Sequence, residues 1–142
     1  MQSGQQHIIS SVLEWLDHDR PVWLCTILRT WGSSPRPVGS IMALCETGAV
    51  VGSVSGGCIE DDLIAQYSKA NAIQDGAPVR LKYGISADEA HRFGLPCGGT
   101  LELLLEFNPD AASLADLIAM LEKGQLTQRC TDLRTGTVTL TA

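Results

Sequence analysis

Glycine- and proline-containing turns divide the chain into short apolar runs, and this division constrains the fold more than any other feature. Seven runs have the β-rich composition of strands, and they alternate with three stretches in which apolar residues recur at helical spacing. Hairpin turns join some of the strands, and helical stretches join others. We therefore predict an α/β fold, with α+β as the alternative, in which about three helices pack on a mixed β-sheet within a single domain.

The predicted elements have definite limits along the chain. The helical stretches are residues 8–16, 58–71 and 111–121, and the strands are 22–28, 38–44, 49–55, 79–83, 100–107, 126–133 and 137–140. No G-x-G-x-x-G motif follows a strand, so the pattern does not predict a Rossmann dinucleotide-binding unit. The chain stops within a β pattern, which leaves open whether it continues naturally or closes with an edge strand.

Charge and length limit the classes of function. The 142 residues are enough for one domain, and 10 basic against 16 acidic side chains give a net charge of −6. This balance argues against a nucleic-acid partner and against binding to anionic lipid. We find neither a secretion signal nor an apolar stretch approaching ~18 residues, so we expect a cytoplasmic protein without a membrane span.

The cysteines separate into two groups. There are five of them, an odd number at irregular spacing, which argues against a disulfide framework. Cys25, Cys45 and Cys130 lie in apolar or β-like runs and are predicted to be structural. Cys58 and Cys97 each adjoin a pair of glycines, which makes them the candidates for chemistry. The sequence has no C-x-x-C motif of the kind that binds zinc, and whether the chain binds another metal stays open.

Residues 32–40 form the first of three candidate segments. Pro35 and Pro37 restrict the backbone on both sides of Arg36, so its guanidinium is pre-organised to bind a planar anion such as phosphate. Ser40 adds a hydroxyl donor. The alternative is an ordinary turn with a solvated arginine.

Residues 54–60 form the second segment, in which a strand passes through Ser55, Gly56 and Gly57 into a helix that starts near Cys58. Glycines let a ligand approach the backbone, and the first turn of a helix stabilises phosphate or a thiolate. The acidic triplet that follows weakens this effect. The alternative is a tight turn with a small buried cysteine.

Residues 93–100 form the third segment, in which Cys97, Gly98 and Gly99 lead into a strand. Strand ends meet at one rim of a sheet, so both glycine-flanked thiols and the clamped arginine are predicted to share one pocket. Two unrelated tight turns would produce the same pattern, and so would a structural domain whose glycine turns shape a dimer interface.

Taken together, the three segments resemble the amino-terminal domain of the XdhC/CoxI family, the accessory proteins of xanthine dehydrogenase and related molybdenum hydroxylases. The segments occur in the family's order with similar spacing, and the resemblance covers nearly the whole chain, residues 1–142. It implies a chaperone that binds the molybdenum cofactor (molybdopterin) transiently, protects it during sulfuration and helps to insert it into the apo-enzyme. Cys58 and Cys97 match the two cysteines of the family.

The resemblance also implies a site and partners. The cofactor-binding residues would be Arg36, Ser40, Ser55, Gly56, Gly57, Cys58, Cys97, Gly98 and Gly99. The partner would be an apo molybdenum hydroxylase of the xanthine-dehydrogenase type, with a cysteine desulfurase and a second copy of the chain as further candidates. Many members carry a downstream Rossmann-like domain, which we expect to be absent here. The alternative function is a sulfur-transfer or thiol-redox enzyme with Cys58 as nucleophile, although no obvious general base accompanies it.

Overall fold

The helices and strands of the computed structural model follow the predicted order along the chain. The structure describes residues 4–31, 37–54, 63–65, 78–83 and 100–141. In these ranges lie helices α1 (Gly4–Asp17) and α2 (Ala111–Glu122), with helical residues also at 63–65, and strands β1 (Val22–Trp31), β2 (Ile41–Cys45), β3 (Val50–Gly52), β4 (Val79–Tyr83), β5 (Thr100–Phe107), β6 (Gln128–Thr131) and β7 (Val138–Thr141). The predicted α/β class is confirmed.

The strands form two sheets, which corrects two details of the prediction. Five strands pair in the order β3-β2-β1-β5-β4, and β6 pairs with β7 as a separate hairpin. Every strand pair in the described ranges is antiparallel, where a mixed sheet was predicted. The reason is topological. The long connection after β3 leads to β4, which runs in the same direction as β3. However, β4 lies at the opposite edge of the sheet, so the two parallel strands never pair.

The five-stranded sheet is buried on both faces, and successive side chains of β1 belong to two different core clusters. On what we call the helix face, Val22 and Leu24 join a buried cluster with residues of α1 and α2. On the second face, Trp23, Cys25 and Ile27 lie in a different cluster. Apolar residues therefore occur at consecutive positions of β1, as expected for a strand covered on both sides. Cys25 and Cys45 are buried, as predicted.

The junction between β5 and α2 is fixed by side-chain hydrogen bonds. Asn108 donates its backbone N–H to the carbonyl of Val22 at 2.8 Å, and its Oδ1 accepts from the N–H of Val22 at 3.0 Å. The carboxylate of Asp110 then caps α2 by accepting from the N–H of Ser113 at 3.0 Å. These contacts fix the direction in which the chain leaves β5, so that α2 crosses the helix face of the sheet.

A β-bulge interrupts the pairing of β1 with β5. Ile27 lies opposite Leu103 and Arg29 lies opposite Glu102, so Leu28 is the extra residue. In a regular strand, Arg29 would share the second face with Ile27, because side chains alternate. The bulge instead places Arg29 beside Glu102 on the helix face.

We predict that Gly52→Ala destabilises the protein by about 2 kcal/mol, by adding a steric clash to backbone strain. Gly52 has φ +80°, and a Cβ there would lie 2.5 Å from the carbonyl oxygen of Ile41 and 2.7 Å from Cδ1 of Ile8. Urea unfolding measures the effect. Gly124→Ala is the matched control, because Gly124 has φ +74° and open space around it. Equal losses in the two variants would contradict the clash.

Candidate functional site

Described residues at the borders of the first and third candidate segments lie together at one end of the five-stranded sheet. Trp31, the last residue of β1, pairs with Thr100, the first residue of β5. Tyr83 at the end of β4 pairs with Leu101, and Gly52 at the end of β3 lies opposite Met42, near the start of β2. We call the end defined by Trp31, Tyr83 and Thr100 the loop end. β3 runs towards it, but Gly52 shares its row across the sheet with Val79 at the start of β4, so β3 ends well short of it. The chain leaves the sheet here directly before the first segment, and it returns to the sheet here at the end of the third.

Most of the predicted site residues themselves fall outside the described ranges. These are Arg36, Ser55, Gly56, Gly57, Cys58, Cys97, Gly98 and Gly99. Their meeting in one pocket therefore stays a prediction. Val54, the first residue of the second segment, and Leu63, the first described residue after it, both belong to the core cluster on the second face of the sheet.

Ser40 is the predicted site residue that the structure describes. It is half-buried in the turn before β2. Its carbonyl accepts from the N–H of Ile27 at 2.9 Å, and its own N–H donates to the carbonyl of Pro37 at 3.1 Å. The adjacent Gly39 donates its N–H to the carbonyl of Ile27 at 2.9 Å. The end of the first segment is thus anchored to β1 by backbone hydrogen bonds.

A cavity of about 450 Å³ lies between the helix face, the two helices and the β6–β7 hairpin. Apolar side chains of α1, α2, β1 and β5 form most of its wall. Its charged residues are Glu106 of β5 and Arg129 of β6. Nη1 and Nη2 of Arg129 each donate to one carboxylate oxygen of Glu106 at 2.8 Å. This bidentate ion pair connects the separate hairpin to the sheet.

Sequence reasoning missed the two buried carboxylates of β5. Glu102 is 4% exposed and Glu106 is 5% exposed. They stand at alternate positions to leucines that face the other way, in the run TLELLLEF. Two acidic residues four positions apart lie on the same face of a strand, and in a strand this rich in leucine they are a signal that each needs a cationic partner. That signal was available in the sequence.

The described ranges contain no cluster of metal ligands, and their helices and Cys130 have the following properties. No group of three or more His, Cys, Asp or Glu side chains there could hold a metal ion. Cys130, predicted to be structural, lies in β6 and is exposed. Neither of the helices in these ranges is both long and apolar enough to cross a membrane.

Comparison with known proteins places these features in context. The model of the XdhC and CoxI family matches residues 15–84. The molybdenum cofactor insertion chaperone PaoD of Escherichia coli K12 is 29% identical over 116 residues, which cover 82% of this chain and 36% of PaoD. A crystal structure described as a xanthine dehydrogenase from Bacillus halodurans is similar with a TM-score of 0.68 and 29% identity, covering 92% of this chain and 40% of that one. The chain therefore spans less than half the length of either protein.

Proposed function

Because the resemblance to the XdhC and CoxI family is confirmed at residues 15–84, we propose that this protein is a molybdenum cofactor insertion chaperone. It binds the cofactor, protects it during sulfuration, and helps to insert it into a molybdenum hydroxylase of the xanthine-dehydrogenase type. The similarity to PaoD, whose name states this activity, supports the proposal. So does the similarity to a structure whose description names the client class.

One observation carries the location of the proposed site. Residues at the borders of the first and third candidate segments lie side by side at the loop end of the sheet, and β3 runs towards this end before the second segment. Segments attached at one end of a rigid sheet can contribute to one ligand site, as the ends of strands commonly do. We assign the cofactor to this end.

The residue types at the proposed site suit the chemistry of the cofactor. The guanidinium of Arg36 would bind the terminal phosphate, and the glycine pairs would let backbone N–H groups approach it. Cys58 and Cys97 would supply soft thiolates for the molybdenum or its sulfur ligand. Ser40 fits the role of a fixed polar group, since its backbone is held to β1.

The proposal predicts that the full chain, co-expressed with the enzymes of cofactor synthesis, is purified with molybdopterin. We expect Cys58→Ser and Cys97→Ser to lower the amount bound by about tenfold, because each removes a ligand or neighbour of the metal group. Mass spectrometry of the released pterin measures the amount. Cys130→Ser is the matched control, since this thiol is exposed on the hairpin and should not affect binding.

Four outcomes would contradict the proposal or redirect it. Absence of bound molybdopterin from the wild-type chain would overturn it. Unchanged binding and client activation in both cysteine variants would remove the thiols from the site. Rapid alkylation of Cys58 by iodoacetamide at neutral pH, without cofactor binding, would favour the sulfur-transfer enzyme instead. Oxidation of xanthine by the purified chain would identify it as part of a dehydrogenase.

A further inference from the structure

The bulge in β1 assembles a row of charged side chains on the helix face. Residues directly opposite each other in neighbouring strands point to the same side of a sheet. Arg29 of β1 lies opposite Glu102 of β5, which in turn lies opposite Lys82 of β4. These three side chains therefore lie side by side on one face, two residue positions from the loop end. Without the bulge, Arg29 would point to the opposite face.

A third cation joins this row diagonally. Nη2 of Arg80 donates to Oε1 of Glu102 at 3.1 Å. The side chain of Glu102 is buried, whereas the side chain of Arg80 is 53% exposed. Arg29 and Lys82 are also exposed. Among the described residues, this part of the helix face therefore carries three positive side chains and one negative, a local excess of positive charge on a chain whose net charge is −6. Such a local excess attracts anions from solution.

The cationic row adjoins the cavity described above. The next row along the same face consists of Thr26, Leu104 and Arg80, again directly opposite one another. Thr26 and Leu104 line the cavity, and so does Leu28, the extra residue of the bulge. The bulge therefore contributes one side chain to the cavity wall and the next to the cationic row.

We propose that Arg29, Lys82 and Arg80, arranged around Glu102, form an anion site for a phosphate monoester whose apolar part occupies the adjoining cavity. The cations supply charge-assisted hydrogen bonds to the phosphate oxygens. Leu28 and Leu104 supply apolar contact for the organic group. The buried carboxylate holds Arg80 in place and reduces the net charge of the site. The site goes beyond the proposed function, because it requires neither molybdenum nor the two candidate cysteines.

The test uses phenyl phosphate as the probe and isothermal titration calorimetry of the full chain at low ionic strength. We expect Arg29→Gln and Lys82→Gln each to weaken binding by about tenfold, and inorganic phosphate to bind more weakly than phenyl phosphate. The matched control is Arg134→Gln, which removes one positive charge from a side chain that is 91% exposed in the hairpin turn. Arg80→Gln is avoided because it would leave the buried Glu102 without its ion-pair partner.

A variant that removes a negative charge, instead of a positive one, separates phosphate binding from a general role of surface charge. Glu102→Gln removes the negative charge and keeps the shape, so phenyl phosphate should bind more tightly to it. Charges that serve only to keep an edge strand soluble would not produce this gain. The proposal is overturned if the wild type fails to bind the probe, if Arg134→Gln weakens binding as much as Arg29→Gln, or if neither row variant weakens it. Each of these results leaves the test of molybdopterin binding at the loop end unaffected.

Discussion

Arg129→Ala is expected to lower the free energy of unfolding by about 3 kcal/mol, because it leaves the carboxylate of Glu106 buried without its partner. Both Nη groups of Arg129 bond to this carboxylate at 2.8 Å. The side chain of Arg129 is 17% exposed and that of Glu106 is 6% exposed, so water replaces little of the lost interaction. Urea unfolding followed by circular dichroism measures the loss.

Two further variants separate the effect of an unpaired buried charge from the effect of lost side-chain contacts. Replacing both residues together, Glu106→Leu with Arg129→Leu, removes the pair without leaving a lone charge, so it should be less destabilising than the single change. Arg134→Ala should have little effect, since this arginine is 91% exposed and lies 4.0 Å from Asp132. A double variant that is no more stable than Arg129→Ala would contradict the explanation from an unpaired buried charge.

Leu103→Ala is expected to lower the free energy of unfolding by about 4 kcal/mol, the largest loss that we predict. Leu103 is 0% exposed and lies in β5, between β1 and β4. It belongs to the cluster on the second face, together with Ile27 and Leu81. A sheet with neighbouring strands on both sides cannot move to fill the space that the leucine vacates, so the transfer and cavity terms add.

Leu126→Ala provides the control for this substitution. Leu126 is 92% exposed, so the same chemical change should alter stability by less than about 0.5 kcal/mol. Urea unfolding of both variants under identical conditions gives the comparison. A loss below about 2 kcal/mol for Leu103→Ala would mean that the sheet repacks around the missing side chain.

Local patterns were enough to predict most elements of the fold. The helix at 111–121 follows from its apolar spacing and from the cap at Asp110, and the structure has it at Ala111–Glu122. The pairing of β1 with β5 could not be predicted in the same way. It joins residues such as Trp31 and Thr100, which are far apart in the sequence, and no local pattern encodes the order of strands. The mixed sheet was wrong for this reason.

The charged features of the helix face depended on the same distant pairing. The bulge at Leu28 arises from the register between two strands, so the run VWLCTILRTW alone does not show on which face Arg29 lies. The partner of Glu106 comes from a hairpin later in the chain. The loop-end site, by contrast, was predicted from three glycine- and proline-rich segments, and the structure brings together the flanks of the first and the third.

The separate β6–β7 hairpin has a consequence for how the molecule opens. A two-stranded hairpin is only marginally stable by itself, and this one is joined to the rest of the described structure by the Arg129–Glu106 ion pair and the contacts of Leu140. Such a unit detaches at a lower free energy than the whole protein unfolds. Because Arg129 and Thr131 line the cavity, each detachment removes one of its walls. The cavity can therefore lose this wall and widen while the five-stranded sheet stays folded.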